Sequence, residues 1–431
     1  MNERFWLSCQ AVLEMDRLRR FFALPYFRHG LNQILVQIST LISGILVIRA
    51  LTKNEYASYS LAVAALALLT YLIESGPSSL LLKNLHSDRS ASEVPNSNLL
   101  VEQFKQRTLL GVYLGIAGTV YLWINLGNIH VTEARSQTIC FLLLANFVCV
   151  IPSGLIMISA RFSKQLSTVR TASLMSSSFR LIATSIIVFL HIGSAEILLV
   201  VNFGTSVVLM TFLAMKTRTL NTLSHRMIFS STSWKINNFL KTFPVALMMI
   251  AGEQYFTFFT ASKGTAEIVA ESSALSKFGF AFVVVNSLYN DITIPAIARV
   301  EHAKARISAL KALSLYGAIS ASITVCVWGL SPTLIKILGH RYTGLEWEMT
   351  LFCSGIGLAY FTQTFDQINK ARHWTRGGFI YLPTMVTWAV VGTNLVHAER
   401  ILDCAVFFAT MPIPMLITQI VRFAWGAKSL A

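Results

Sequence analysis

Apolar stretches of roughly twenty residues recur along this chain from Leu31 to Phe423, separated by short polar turns. At 1.5 Å per residue, ~20 helical residues cross a hydrocarbon core of ~30 Å. The pattern therefore predicts about twelve transmembrane helices, at 31–51, 57–82, 108–127, 137–160, 171–191, 195–215, 240–261, 270–295, 312–334, 349–368, 377–396 and 401–421. The longest polar stretch, Lys216 to Lys241, falls near the midpoint. It predicts a lead-in over 1–30, a six-helix lobe over 31–215, a linker over 216–239 and a second six-helix lobe over 240–431. An offset of 212 residues aligns Glu55, Tyr59, Ser60 and Ala62 with Glu267, Glu271, Ser272 and Ala274, as duplicated halves would.

A helix surrounded by lipid is apolar all round, so a polar stripe at helical spacing marks contact with water or with other helices. The fifth helix carries the clearest stripe: Arg170, Ser173, Ser177, Arg180 and Thr184 lie at offsets 0, 3, 7, 10 and 14, within a narrow arc. Arg180 lies about 14 Å deep, where a charge is costly and function is the default reading. The first helix aligns Gln33, Gln37, Thr40 and Gly44, and the seventh aligns Thr242, Glu253, Thr257 and Thr260. Interhelical hydrogen bonding explains Gln and Thr as well as a cavity does; Glu253 tips the seventh helix toward a cavity. The second helix aligns Thr70, Glu74 and Ser78, with Pro77 in SGPSS predicting a kink beside the acid. In the eighth, Lys277 and Asp291 share a face but lie about 21 Å apart along the axis, so each needs another partner.

Composition agrees with lipid as the solvent: the chain is 54% apolar and 13% charged. Its net charge of +15 is explained by topology. With a cytoplasmic N-terminus, the inside segments hold 26 of the 35 Lys and Arg, and the outside turns hold five: Lys53, Arg135, Lys263, Arg341 and Arg400. This asymmetry predicts cytoplasmic termini, with membrane lipid as a partner and no nucleic acid. Arg49 and Lys336 sit near helix ends and are expected to snorkel, and Asp366 lies a turn from a helix end.

No soluble chemistry is legible. Five of the six cysteines fall within predicted spans without metal-ligand spacing, and the histidines form no HExxH set. GIGLAY at 355–360 lacks the last Gly of a dinucleotide loop. The expectation is no metal, no cofactor and no enzyme. The first 30 residues do not read as a signal peptide, because Glu14 and Asp16 interrupt the apolar stretch; an interfacial lead-in helix fits better, and Met15 is an alternative start.

The stretch IRALTKNEYASYSLAVAALALLTYLIESGPSSLLLK (48–83) resembles the first-to-second helix junction of polysaccharide flippases, of the O-antigen type, in the multidrug, oligosaccharidyl-lipid and polysaccharide exporter superfamily. Ala50, Leu51, Glu55, Tyr56 and Tyr59 match the A-L-G-P-x-E-Y-G-x-Y turn; Thr52-Lys53 replaces its Gly-Pro and Ala57 its second Gly. Pro244, the turn before Glu267 and the IPAIARV segment resemble the start of the second half. The resemblance implies an all-α polytopic fold of two six-helix lobes around a central cavity lined by helices 1, 2, 7 and 8. It implies alternating access and an undecaprenyl-diphosphate-linked oligosaccharide flipped toward the periplasm. A polysaccharide polymerase and a chain-length regulator would be partners.

The candidate residues follow from stripes and resemblance together. Arg180, Lys277 and Arg170 are expected to bind substrate, Glu74, Glu253 and Asp291 to couple transport to a cation, and Gln33, Gln37, Ser177 and Thr257 to line the cavity. The alternative is a cation-coupled drug or metabolite antiporter of the same superfamily. A cationic drug wants acids and aromatics in the cavity, whereas a diphosphate wants Arg or Lys, and Arg180 and Lys277 favour the anion. A polytopic polymerase or glycosyltransferase fits less well, because the outside turns are too short for the loop such enzymes carry.

Overall fold

In a computed structural model, residues 25–87, 97–162, 165–217, 255–372, 374 and 377–428 of the chain are described, with side chains from Leu31 onward except over 74–103, 427–428 and scattered positions including Asp291. Among the described residues every regular element is helical. The helices are α1 (Pro25–Ala50), α2 (Lys53–Ser87), α3 (Ser97–Asn128), α4 (Glu133–Phe162), α5 (Leu166–Phe189) and α6 (Ala195–Thr217). After α7 (255–263), α8a (Ala266–Leu275) and α8b (Phe280–Arg299) are joined by a 3-10 turn, Ser276–Gly279. Then come α9 (His302–Leu338), α10 (Glu346–Ala371), α11 (Tyr381–Leu395), α12a (Ile401–Thr410) and α12b (Ile413–Lys428).

Among the described residues, nine helices are long and apolar enough to cross a bilayer. Their outward positions are apolar at helical spacing, as in Val112, Ile116, Val120 and Ile124 of α3, all more than half exposed. That is the surface lipid requires. α10 is too polar to qualify, and its position explains why: it packs against α8b, α9, α12a and α12b, burying Thr362, Thr364, Asp366 and Asn369 among protein rather than lipid. Gly355 permits a close crossing there, since a Cβ at that position would lie 2.8 Å from Ala409 Cα of α12a.

The principal contacts group α1–α6 together and α8–α12 together, and the two sets meet where α2 packs on α8a and α1 on α8b and α9. The 216–239 linker lies almost wholly outside the described residues, as does the lead-in before Pro25. Several helices run longer than the hydropathy pattern predicts, because polar end turns stay helical beyond the apolar core; α9 extends from His302 rather than from 312. α2 runs through Pro77 as unbroken helix to Ser87. Two helices expected to be continuous are interrupted: α8 at Ser276–Gly279, and α12 at Met411-Pro412, where proline removes a backbone donor. Thr265 starts α8a by accepting the Ile268 amide at 3.3 Å.

A buried polar cluster fastens α10 to α12b. Arg422 donates to Asp366, to Gln419 Oε1 at 3.1 Å and to the Trp374 carbonyl at 3.1 Å, while Asn369 donates to Gln419 Oε1 at 2.9 Å. Asp366 is thus charge-paired on both sides, by Arg422 and by Lys370, and serves packing.

Candidate functional site: a cationic cavity beneath a cross-linked end

The end of the bundle carrying the α1–α2, α7–α8 and α9–α10 turns, predicted to face outside, is tied across the two sets of helices. Lys53, the first residue of α2, pairs with Glu267 and, at 2.7 Å, with Glu271 of α8a, and its ammonium lies 5.8 Å from the centre of the Tyr342 ring. Burial pushes the Tyr342 phenol up to about 12, with Glu271 adding in the same direction, so this ring stays neutral beside the ion pairs. Two arginines cross in opposite senses. Arg49 at the end of α1 donates to the Ile337 carbonyl at the end of α9 at 2.8 Å, and Arg341, just after α9, donates to the Leu51 carbonyl at 2.8 Å. Each guanidinium meets the negative end of a helix in the other set. Arg49, expected to snorkel, is instead a brace. Within the first set, Arg135 holds Glu196 at 2.6 Å and Glu55 at 3.4 Å.

Beneath these ties lies a cavity of about 290 Å³. α2 contributes Tyr56, Tyr59 and Ser60; α5 contributes Arg180; and the α8 break contributes Ser273, Ser276 and Lys277. Thr257 of α7 and Phe408 of α12a complete the far wall. Arg180 precedes the outer end of α5 by nine residues and Lys277 follows the outer end of α8a by eleven, which puts both about 14–16 Å in. Lys277 therefore sits near mid-depth, because α8 begins at Ala266, earlier than the hydropathy pattern indicates. No carboxylate lines the cavity among the described residues.

The two cations are held differently. Arg180 Nη2 donates to the Tyr59 hydroxyl at 3.2 Å, and Asn202 Nδ2 of α6 donates to the same oxygen at 3.0 Å. Behind them Ser206 Oγ lies 3.2 Å from the Asn202 carbonyl and 3.0 Å from the Asn146 amide of α4. Three helices, α2, α6 and α4, thus converge on the one guanidinium of α5 through neutral groups. Tyr59 is only 4% exposed and stacks on Tyr56, ring centroids 6.3 Å apart. Lys277 has no hydrogen-bond or ion-pair partner among the described residues; its chain runs past Gly44 of α1, where a Cβ would stand 3.8 Å from Lys277 Cδ.

Of the other expected residues, Thr257 lines the cavity, and Gln33, Gln37, Ser177 and Arg170 are not among its described lining. Ser177 is buried and bonds the Leu174 carbonyl of its own helix at 3.0 Å. The Arg170 carbonyl accepts Asn32 Nδ2 at 3.3 Å, joining α5 to α1, and the Arg170 Nε is buried without a hydrogen bond. Periodicity had put Ser177 and Arg180 on one stripe. The stripe is real, but α5 turns Ser177 into packing and only Arg180 into the open space. Glu253 lies outside the described residues, as do the side chains of Glu74 on α2 and Asp291 on α8b. No group of His, Cys, Asp or Glu able to hold a metal occurs among the described residues. Tyr59, Asn202, Lys53, Glu267 and Glu271 were not anticipated as site residues, although Tyr59 belongs to the junction motif and both acids to the internal match.

No family model and no curated protein matches this sequence. Solved structures do. The chain is similar to the inward-facing form of a multidrug resistance MATE family transporter of the MOP superfamily, at 14% identity over 93% of this chain and 98% of that one, with a TM-score of 0.65. The outward-facing form of a MATE transporter aligns at 14% identity over 93% of each chain with a TM-score of 0.54. A MOP superfamily transporter from Pyrococcus furiosus, described as having a binding pocket of reverse polarity that suggests a different function, aligns at 14% identity over 94% and 95% with a TM-score of 0.61. The chain has the polytopic all-helical fold of the MATE transporters of the MOP superfamily.

Proposed function

We propose that this protein is a flippase that carries an undecaprenyl-diphosphate-linked oligosaccharide from the cytoplasmic to the periplasmic leaflet of a bacterial inner membrane by alternating access. One observation carries the reading: Arg180 and Lys277 face a single cavity from opposite sets of helices, with no carboxylate in its described lining. Placing a lysine or arginine at the centre of a spanning helix costs about 2.5–3.5 kcal/mol on insertion scales. A phosphate oxygen 4 Å away returns about 4 kcal/mol at the effective dielectric of protein sites. An anionic cargo therefore offsets what an empty cavity cannot. The crossing ties at Lys53, Arg49 and Arg341 suit a state closed on the outer side, and the cargo leaves when they part.

A drug antiporter is the second reading, favoured by the multidrug resistance transporters among the structural neighbours. Cavity polarity separates the two, and the Pyrococcus neighbour supports the view that this fold houses pockets of differing polarity. The deciding experiment reconstitutes the full chain in phosphatidylethanolamine–phosphatidylglycerol vesicles. A fluorescent undecaprenyl-diphosphate disaccharide should become accessible across the bilayer faster than in empty vesicles, and ethidium should not be exchanged against protons or sodium. Ethidium exchange without lipid flipping would install the antiporter reading.

The same proposal puts both termini in the cytoplasm. His130 and Gly264, beside Lys263, already share one pocket at the outer end. Cysteines introduced at His130 and Lys263, in a background lacking native cysteines, should react with an impermeant thiol reagent from outside intact cells. Reaction of both only after permeabilisation would invert the topology.

A further inference from the structure

The Tyr59 hydroxyl has a valence that its surroundings fix. A phenol oxygen can accept at its lone pairs and has one O–H to donate. Here both groups bonded to it are donors: the Arg180 guanidinium at 3.2 Å, which has no acceptor character, and the Asn202 amide nitrogen at 3.0 Å. With its lone pairs so occupied, the hydroxyl can use its hydrogen only on a further acceptor. Tyr59 lines the cavity, whereas Asn202 is not among the described lining. The cavity therefore presents a guanidinium, an ammonium and a phenolic O–H.

We infer that Tyr59, Arg180 and Lys277 form a donor-only binding site for a diphosphate group, and that Asn202 sets its polarity by obliging Tyr59 to donate into the cavity. Arg180 and Lys277 supply charge, and Tyr59 supplies a hydrogen bond to a phosphate oxygen. Asn202 is a positioning residue that acts through Tyr59; behind it Ser206 Oγ meets the Asn202 backbone carbonyl at 3.2 Å and the Asn146 side-chain amide at 3.0 Å. A cation finds no acceptor among these three groups. The inference deepens the proposed function and rests on its assignment of an anionic cargo.

Asn202→Asp is nearly isosteric and reverses the logic. A carboxylate at that position accepts the Tyr59 proton and turns the hydroxyl away from the cavity. Asn202→Ala removes a donor but leaves the phenol free to turn its hydrogen either way. A residue that merely packed would show the opposite order, since alanine leaves a void and aspartate does not. The test is calorimetric binding of inorganic pyrophosphate to the full chain in detergent micelles, with thermal unfolding followed on each variant.

Tyr59→Phe should raise the Kd about tenfold or more, the worth of one hydrogen bond to a charged group. Asn202→Asp should raise it at least as much, and Asn202→Ala clearly less, with no corresponding order in thermal stability. An unchanged Kd in Tyr59→Phe, or a loss in Asn202→Ala equal to that in Asn202→Asp, would overturn the donor assignment while leaving an anionic cargo in place. Absence of pyrophosphate binding to the unmodified protein would instead remove the anionic cargo itself, and this site with it.

Discussion

Arg180 and Lys277 face the same cavity at similar depth, yet the protein treats them in opposite ways. Arg180 stands in the middle of an unbroken helix, and α2, α4 and α6 converge on it through Tyr59, Asn202, Ser206 and Asn146. Lys277 stands on a 3-10 turn where α8 breaks, opposite a glycine, with no partner among the described residues. A planar guanidinium held in one orientation suits bidentate recognition of phosphate oxygens, whereas an ammonium on a flexible stem follows a charge as it moves. Under the proposed function the difference is a division of labour: one set of helices would recognise the diphosphate and the other would accompany it.

Substitutions that erase the fixed partner should have the largest effect. Arg180→Ala and Arg180→Glu should reduce flipping by at least about 100-fold in the vesicle assay, and Arg180→Lys should retain roughly a tenth, because it keeps the charge and loses the fork. The mobile partner is less demanding. Lys277→Ala should reduce the rate about tenfold, while Lys277→Arg should stay within about threefold of the unmodified protein. Equal sensitivity of the two positions to Lys–Arg exchange would dissolve the distinction.

Space beside Lys277 tests it more finely. A Cβ at Gly44 would meet the lysine chain at ordinary contact distance, 3.8 Å, so Gly44→Ala should be tolerated. Gly44→Leu should displace the lysine and reproduce the Lys277→Ala defect without touching Arg180. Normal flipping by Gly44→Leu would mean that Lys277 does not need this channel. The smallest effect concerns access rather than binding. Lys53→Ala removes both ion pairs to Glu267 and Glu271 but leaves the arginine braces, so a cysteine at Ser273 should be labelled from outside only about two- to fivefold faster, as expected for part-exposed ion pairs worth under ~1 kcal/mol. An unchanged rate would assign the outer seal to Arg49 and Arg341.

The sequence carried the fold because lipid imposes a simple rule: apolar runs of spanning length must be helices. It carried Arg180 and Lys277 because a charge at membrane depth stands out against that background. It did not carry the neighbours that give the two cations different characters. Tyr59 and Asn202 are ordinary in composition, and only the packing of α2 against α6 brings an amide and a guanidinium to one oxygen. Ser177 shares its helix face with Arg180 yet is buried, because periodicity marks a face of a helix without saying which of its residues reach open space. The break at Ser276–Gly279 was equally hidden, since an apolar run predicts a span but not a change of pitch within it. Lys53 read as one more outside charge until α8a placed two acids against it.

Direct recognition of the anion requires Arg180 to be a cation kept for the cargo rather than one neutralised by an acid of the protein itself. Glu74, on the polar face of α2, is the acid through which the contrary view would act. Flipping of the undecaprenyl-diphosphate disaccharide by the well-expressed double variant Arg180→Gln with Glu74→Gln, set beside the single variant Arg180→Gln, decides between them. The double variant should be no faster than the single one, because the diphosphate still lacks its guanidinium. Flipping restored to the unmodified rate would show that Arg180 serves only to balance Glu74, and would contradict direct recognition of the anion.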